Sequence, residues 1–334
     1  MVKRDSNMEL LRIVVMFMIL LLHADFLALE APKAKDISIA PLESFAKFYI
    51  EALMVIGVNV FVFLSGWYGI KPKMMRLGEF LFQIIFFIII GIAIALCLGH
   101  SIPFKEIVQN ILLFDGSLWF VKIYIFLYLL SPILNKYVES APKQDFGCLL
   151  IIVFAIQFIY GWHYRTIEEL ADGMSVLSFI TLYLLARYTR LYLAGIVERL
   201  SKTFWWGGHL FISLIIATIA YYQTFVDESL FPLKVYSYTS PLVVLSAICF
   251  FCAFAKMSFQ SSKVNSIAKS VFAVYLLHMN SCAIPLYKSL LVDYYNSHTF
   301  AYYCLYALCV SIAIFVIAII IDKFRIVLWN CLSK

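Results

Sequence analysis

The chain has 334 residues, 63% apolar and 14% charged, with a formal net charge of +6 and a mean hydropathy of +0.92. A soluble domain carries about 25% charged residues, so this composition excludes one and points to a polytopic membrane protein. The basic residues are scattered between apolar stretches instead of gathered in a run, which assigns them to membrane topology and excludes nucleic acid as a partner.

At about 20 residues per span the length holds roughly ten transmembrane helices and no separate soluble domain. Apolar runs predict them at 10–29, 45–69, 77–98, 117–135, 146–162, 174–194, 204–222, 236–255, 267–287 and 300–321. The expected fold is therefore all-α, a single membrane-embedded domain over 1–334. The start of the chain has the basic and apolar order of a signal peptide, but Arg12 interrupts the run and no A-x-A site follows. It is expected to stay as the first span.

That span carries two ionisable residues. Arg12 and His23 are eleven steps apart, which on an α-helix puts them on one face, roughly 16 Å from each other. Ionisable groups at such depth cost roughly 2.5–3.5 kcal/mol each and mark a pathway, a site or a buried pair, the alternative being a snorkelling Arg12 and a hydrogen-bonded packing His23. In the second span Glu51 lies six residues in from Phe45, as His23 lies six residues in from Leu29. Antiparallel helices would set the two level, where a carboxylate could bond the imidazole and fix its tautomer. The alternative is that Glu51 reaches the interface or bonds a tyrosine. Ser65-Gly66 closes this span with little bulk, which would admit a ligand or a neighbouring backbone.

The segment 99–116 is too polar to cross and spaces Ile107, Ile111, Leu112 and Phe114 helically. It is expected to lie as an amphipathic helix on the outer surface. At the start of the fourth span Trp119 and Lys122 share a face, with Asp115 in the preceding turn. An indole stacks on a sugar ring and the two charged groups hydrogen-bond hydroxyls; alternatively Trp119 is an interfacial anchor beside a snorkelling lysine. In the ninth span Tyr275 and His278 share a face near mid-depth, to act on substrate or to hold helices together. His100, His163, His209 and His298 lie in or near breaks and read as interface residues. The eight cysteines sit mostly in apolar runs, and the lone Cys249-x-x-Cys252 pair lacks a second pair, so no metal site is expected.

The breaks alternate in charge. One set holds Lys3 and Arg4, then Lys71, Lys73 and Arg76, then Lys136 and Lys143, then Arg187, Arg190, Arg199 and Lys202, then Lys256, Lys263 and Lys269, then Lys323, Arg325 and Lys334. The other holds Lys33, Lys35, Lys47, Lys105, Arg165, Lys234 and Lys288 among acids such as Asp227 and Glu228. The positive-inside rule then places both termini in the cytoplasm.

Four stretches, NMELLRIVVMFMILLLH, GVNVFVFLSGWYGIKPK, SLWFVKIYIFLYLLSPILN and SVFAVYLLHMN, together resemble the acyltransferase-three family of membrane O-acyltransferases, in particular its short bacterial members that modify surface polysaccharides. The most specific element is an arginine, ten residues, then a histidine, here Arg12 and His23. The resemblance implies a multi-pass cell-membrane enzyme with no permanently bound cofactor. It would move an acyl group, acetyl by analogy, from cytosolic acyl-CoA to a hydroxyl of a cell-surface or lipid-linked glycan. His23 suits a general base, or a carrier that takes the acyl group itself. Arg12, Lys71, Lys73 and Arg76 would hold the donor phosphates, unless the three loop cations serve topology alone. Asp115, Trp119, Lys122, Tyr275 and His278 would face the acceptor. Two departures stand out: lysines replace arginines common in the family's inner loop, and Asn59 occupies a position that is often aspartate. A transporter or flippase of a lipid-linked saccharide would also need intramembrane polar residues and a basic inner face; consumption of acyl-CoA separates the two.

Overall fold

The computed structural model describes residues 4–99, 101–114, 116–226 and 232–333. Asp115 and His100, with the loop charges Lys3, Asp227, Glu228 and Lys334, lie outside them. Among the described residues all regular structure is helical. In chain order, α1 (Ser6–Leu22) continues into a π-helical turn, His23–Leu27, and is followed by α2 (Ala34–Ile39), α3 (Pro41–Met54), α4 (Gly57–Tyr68), α5 (Met74–Cys97) and α6 (Phe104–Ile111). Next come α7 (Trp119–Ser140), α8 (Lys143–Ile156) with a π-helical extension Gln157–His163, α9 (Val176–Tyr192), α10 (Ala194–Arg199) and α11 (Lys202–Val226). The chain ends with α12 (Pro241–Ala255), α13 (Ser262–Ala268), α14 (Phe272–His278), α15 (Ile284–Ser297) and α16 (Phe300–Leu332).

Eight described helical stretches are long and apolar enough to cross a membrane. They correspond to eight of the ten expected spans, and the protein is an all-α polytopic membrane protein. The remaining two take other forms. The sixth is α9, whose 17 residues rise only about 25 Å. The ninth is broken between His278 and Ile284. Asn280 makes the break: its Oδ1 accepts from the Cys282 N–H at 3.0 Å and its Nδ2 donates to the Phe87 carbonyl at 3.2 Å. Pro285 then sits in the first turn of α15, where its missing N–H costs nothing. An asparagine whose side chain bonds nearby backbone competes with the helix in this way.

The helices sort into two compact units. Unit 1 comprises Met1–Leu29, Pro72–Lys122 and Ser261–Lys334; unit 2 comprises Glu30–Lys71 and Ile123–Gln260, the division falling inside α7. In unit 1, α1 packs on α13, α14 and α16, α5 on α14 and α16, and α15 on α16 and the π-helical turn. A Cβ at Gly91 of α5 would stand 2.2 Å from Asn280 Oδ1, so only glycine admits the asparagine that breaks the ninth span. On α16, Asp322 is fully buried and takes Arg325 at 2.9 and 3.2 Å and Gln83 at 2.9 Å. The Arg325 expected as a loop cation is thus a buried partner, because a carboxylate left alone there would cost several kcal/mol.

In unit 2, α11 packs on α3 and α12, and α4 on α9 and α12. A Cβ at Gly66 would lie 2.4 Å from the Tyr183 carbonyl oxygen, so the small residues expected to allow close approach meet the backbone of α9. Asn59, fully buried, donates to the Tyr238 carbonyl at 3.0 Å. His209 differs from expectation. It is buried, its Nδ1 2.8 Å from Ser246 Oγ and its ring against Phe250, and is a packing histidine rather than an interface residue.

Candidate active site

The site in unit 1 is built around His23, the residue at which α1 gives way to the π-helical turn. Such a turn widens the backbone by one residue and exposes carbonyls that a regular helix would use internally. Two tyrosine hydroxyls meet carbonyls on either side of His23: Tyr287 of α15 donates to Leu20 at 2.9 Å, and Tyr303 of α16 donates to Ala24. The imidazole is therefore presented from a backbone held at two points.

His23 Nδ1 lies 2.9 Å from Nε2 of His278, the last residue of α14. The rings are tilted by 43°, with centroids 5.1 Å apart. The second histidine is 2% exposed, and its own Nδ1 lies 2.6 Å from the Val274 carbonyl one turn back. Tyr275 and Tyr287 meet this ring edge-on, each with its centroid 6.1 Å away. The Tyr275 hydroxyl is turned to the Ser117 carbonyl at 3.4 Å. His278 bonds His23 on Nδ1, the contact that the sequence offers to Glu51 as one of two readings. Glu51 itself is buried in α3 of unit 2, where it acts electrostatically on Tyr238.

Towards the start of α1, Arg12 Nη1 lies 3.4 and 3.3 Å from the two carboxylate oxygens of Glu9, which also takes Arg4 at 3.4 Å. Glu9 escaped the sequence reading, although its i, i+3 spacing to Arg12 is a recognisable signal. The contact uses one nitrogen of Arg12. Among the described residues the Nε and Nη2 edge keeps no partner, and that edge is the one that recognises a phosphate or carboxylate bidentately. Lys73 and Arg76, at the start of α5, are exposed; Lys71, in unit 2, is exposed as well. Trp119 and Lys122 open α7, both half-buried, the indole edge-on to Phe120 at 6.1 Å.

Unit 2 holds a second polar arrangement, at the end of α4. Gly69 closes that helix with φ 73°, and Ile70 is held by a closed ring of hydrogen bonds. Its N–H donates to the Tyr183 hydroxyl at 3.0 Å, that hydroxyl donates to Asn135 Oδ1 at 2.5 Å, and Asn135 Nδ2 donates to the Ile70 carbonyl at 2.7 Å. Arg190 donates to the Trp67 carbonyl at 2.7 Å and stacks on Trp67 and Tyr68. Arg187 lies beside Gly69 with its Nε buried and unpartnered among the described residues. No group of three or more His, Cys, Asp or Glu among the described residues could hold a metal ion.

Helices of membrane-spanning length define a polytopic membrane protein, and its unit 1 holds a hydrogen-bonded histidine pair. Residues 5–323 match the family described as the acyltransferase domain, the acyltransferase-three family, and the chain belongs to it. The protein is a membrane acyltransferase. No curated protein and no solved structure matches the chain.

Proposed function

We propose that this acyltransferase moves an acetyl group from cytosolic acetyl-CoA to a hydroxyl of a cell-surface or lipid-linked glycan, working in the cytoplasmic membrane of a bacterium with both termini inside. The observation that carries the reading is His23, an imidazole on a membrane-spanning helix with one ring nitrogen bonded to a second histidine and the other left for chemistry. In a family of acyltransferases such a nitrogen either takes the proton of the acceptor hydroxyl or takes the acyl group and passes it on. Removing a proton from the hydroxyl makes its oxygen the nucleophile that displaces the thiolate.

Arg12 serves the donor through its unpartnered guanidinium edge, with Lys73 and Arg76 as exposed cations for the phosphates. In unit 2, Lys71 and Arg187 offer positive charge of the same kind. Trp119 and Lys122, with Asp115, serve the acceptor by stacking and hydrogen bonding. The alternation of basic and acidic breaks supports a donor reached from the cytoplasm and an acceptor reached from outside.

Purified protein given labelled acetyl-CoA and crude lipid-linked glycan should transfer label to the glycan. If acetyl-CoA is left intact while the saccharide crosses the bilayer, the donor assignment fails and transport takes its place.

A further inference from the structure

We propose that His278 is a positioning residue: it holds the proton of His23 on Nδ1 and so keeps His23 Nε2 as the reactive atom. The inference rests on the reading that His23 acts as base or acyl carrier, and adds which nitrogen does so and why.

The assignment follows from what each atom can donate. The Val274 carbonyl only accepts, so the 2.6 Å contact with His278 Nδ1 requires a proton on that nitrogen. A neutral imidazole with Nδ1 protonated carries a lone pair on Nε2. The 2.9 Å contact between His278 Nε2 and His23 Nδ1 is then a hydrogen bond donated by His23. With its proton on Nδ1, neutral His23 has its lone pair on Nε2. A histidine with nothing bound at Nδ1 favours the opposite tautomer, so the pairing reverses the intrinsic preference. Base and acyl-carrier mechanisms both need that Nε2 lone pair, and the requirement is therefore independent of the choice between them.

The surroundings leave His278 no second task. Both of its ring nitrogens are engaged, and it is 2% exposed. The two tyrosines against its ring direct their hydroxyls to Ser117 and Leu20 carbonyls. A substrate contact, one of the two parts the sequence leaves open to it, has no ring nitrogen to use. The position of His278 at the end of α14 explains the break that follows: Asn280 and the Gly91 notch hold the helix end where its terminal imidazole meets α1. When His23 Nε2 gains a proton, its Nδ1–H bond to His278 becomes charge-assisted and shortens, which favours the charged form at the moment it is needed.

Two measurements on the full-length purified protein test this. Nitrogen-15 magnetic resonance of histidine-labelled protein, with His23 assigned by the signal lost in His23→Gln, should show a protonated Nδ1 and a bare Nε2. A proton on His23 Nε2 in the resting protein overturns the proposal. The second measurement compares His278→Gln with His278→Asn, whose amides are alike in polarity but differ in reach: glutamine extends to the Nε2 position and asparagine only to Nδ1. With acetyl-CoA as donor, His278→Asn should lower kcat by about 10²–10⁴-fold, the range of a lost base or a wrong tautomer, with little change in the donor KM. His278→Gln should recover at least about tenfold of that loss. Equal impairment of the two variants, with the His23 tautomer unchanged, overturns the proposal as a mere packing effect. Because the resonance is read without turnover, a protein that shows the expected tautomer but leaves acetyl-CoA intact sinks the acetyl-transfer reading and not the assignment of the proton.

Discussion

His23 and Arg12 share one helix yet meet different neighbours, and substitution should separate their tasks. His23→Ala removes the nitrogen left open by the His278 bond while leaving the tyrosine contacts to the Leu20 and Ala24 carbonyls in place. The variant is expected to fold and insert normally and to lose transfer by at least about 10²–10⁴-fold, more if the imidazole carries the acyl group. Near-normal turnover in a well-folded His23→Ala protein would end the catalytic reading. Arg12 touches Glu9 through one nitrogen only. Arg12→Ala should therefore raise the KM for acetyl-CoA more than it lowers kcat, and Arg12→Lys should rescue part of it, since lysine replaces the charge but not the planar edge. Normal donor binding in both variants would reduce Arg12 to a partner of Glu9.

Among the elements, the two that carry the histidines are irregular where they carry them: α1 becomes π-helical at His23, and the ninth span stops at His278. Interrupted helices of this kind place side chains and free backbone groups inside a membrane without exposing them to lipid. Two glycines let neighbouring elements approach closely, and they are expected to respond differently to a methyl group. Gly66→Ala would drive Cβ to 2.4 Å from the Tyr183 carbonyl oxygen, a backbone atom that cannot turn aside, so it should cost about 1–3 kcal/mol by separating α4 from α9. Gly91→Ala would meet the Asn280 side chain at 2.2–2.4 Å. It should displace that side chain, disturb the end of α14 and lower turnover with a smaller loss of thermal stability. Thermal unfolding in detergent, read beside acetyl-CoA turnover, distinguishes the two; equal losses of stability would remove the special part given to Asn280.

At the level of the whole molecule, the family match runs through segments of both compact units. The charge pattern requires Lys73 and Lys105 to face opposite sides of the membrane. Single cysteines placed there, in a background without the eight native thiols, which are all free, should react with a membrane-impermeant reagent from opposite faces. Labelling of both from one face would overturn the topology and with it the inside donor and outside acceptor. α6, which carries Lys105, exposes Phe104 and Ile111, with Leu112 and Phe114 exposed just beyond its end, as a helix lying on a lipid surface would.

The sequence alone settled those properties that depend on local composition and period. Runs of about 20 apolar residues announce membrane helices because the bilayer demands internally satisfied backbone. Eleven steps from Arg12 to His23 announce a shared face because α1 is regular as far as Leu22. The family's short motifs were readable for the same reason, being local. The tertiary structure decided what depends on pairs distant in the chain. His23 and His278 are 255 positions apart, and their equal depth does not follow from hydropathy, which ranks Glu51 just as well. The break after His278 falls on Asn280 and Ser281, but apolar residues on either side carry 267–287 past it as one span. Its cause is the hydrogen bonding of one asparagine, admitted by a glycine on another helix. Arg325 read as a loop charge until α5 packed against α16, bringing Gln83 to Asp322 and burying the arginine beside that carboxylate. His209 read as an interface residue until Ser246 gave it a buried partner. In each case burial of a polar side chain is tolerable only with a matching group beside it, and only packing brings that group there.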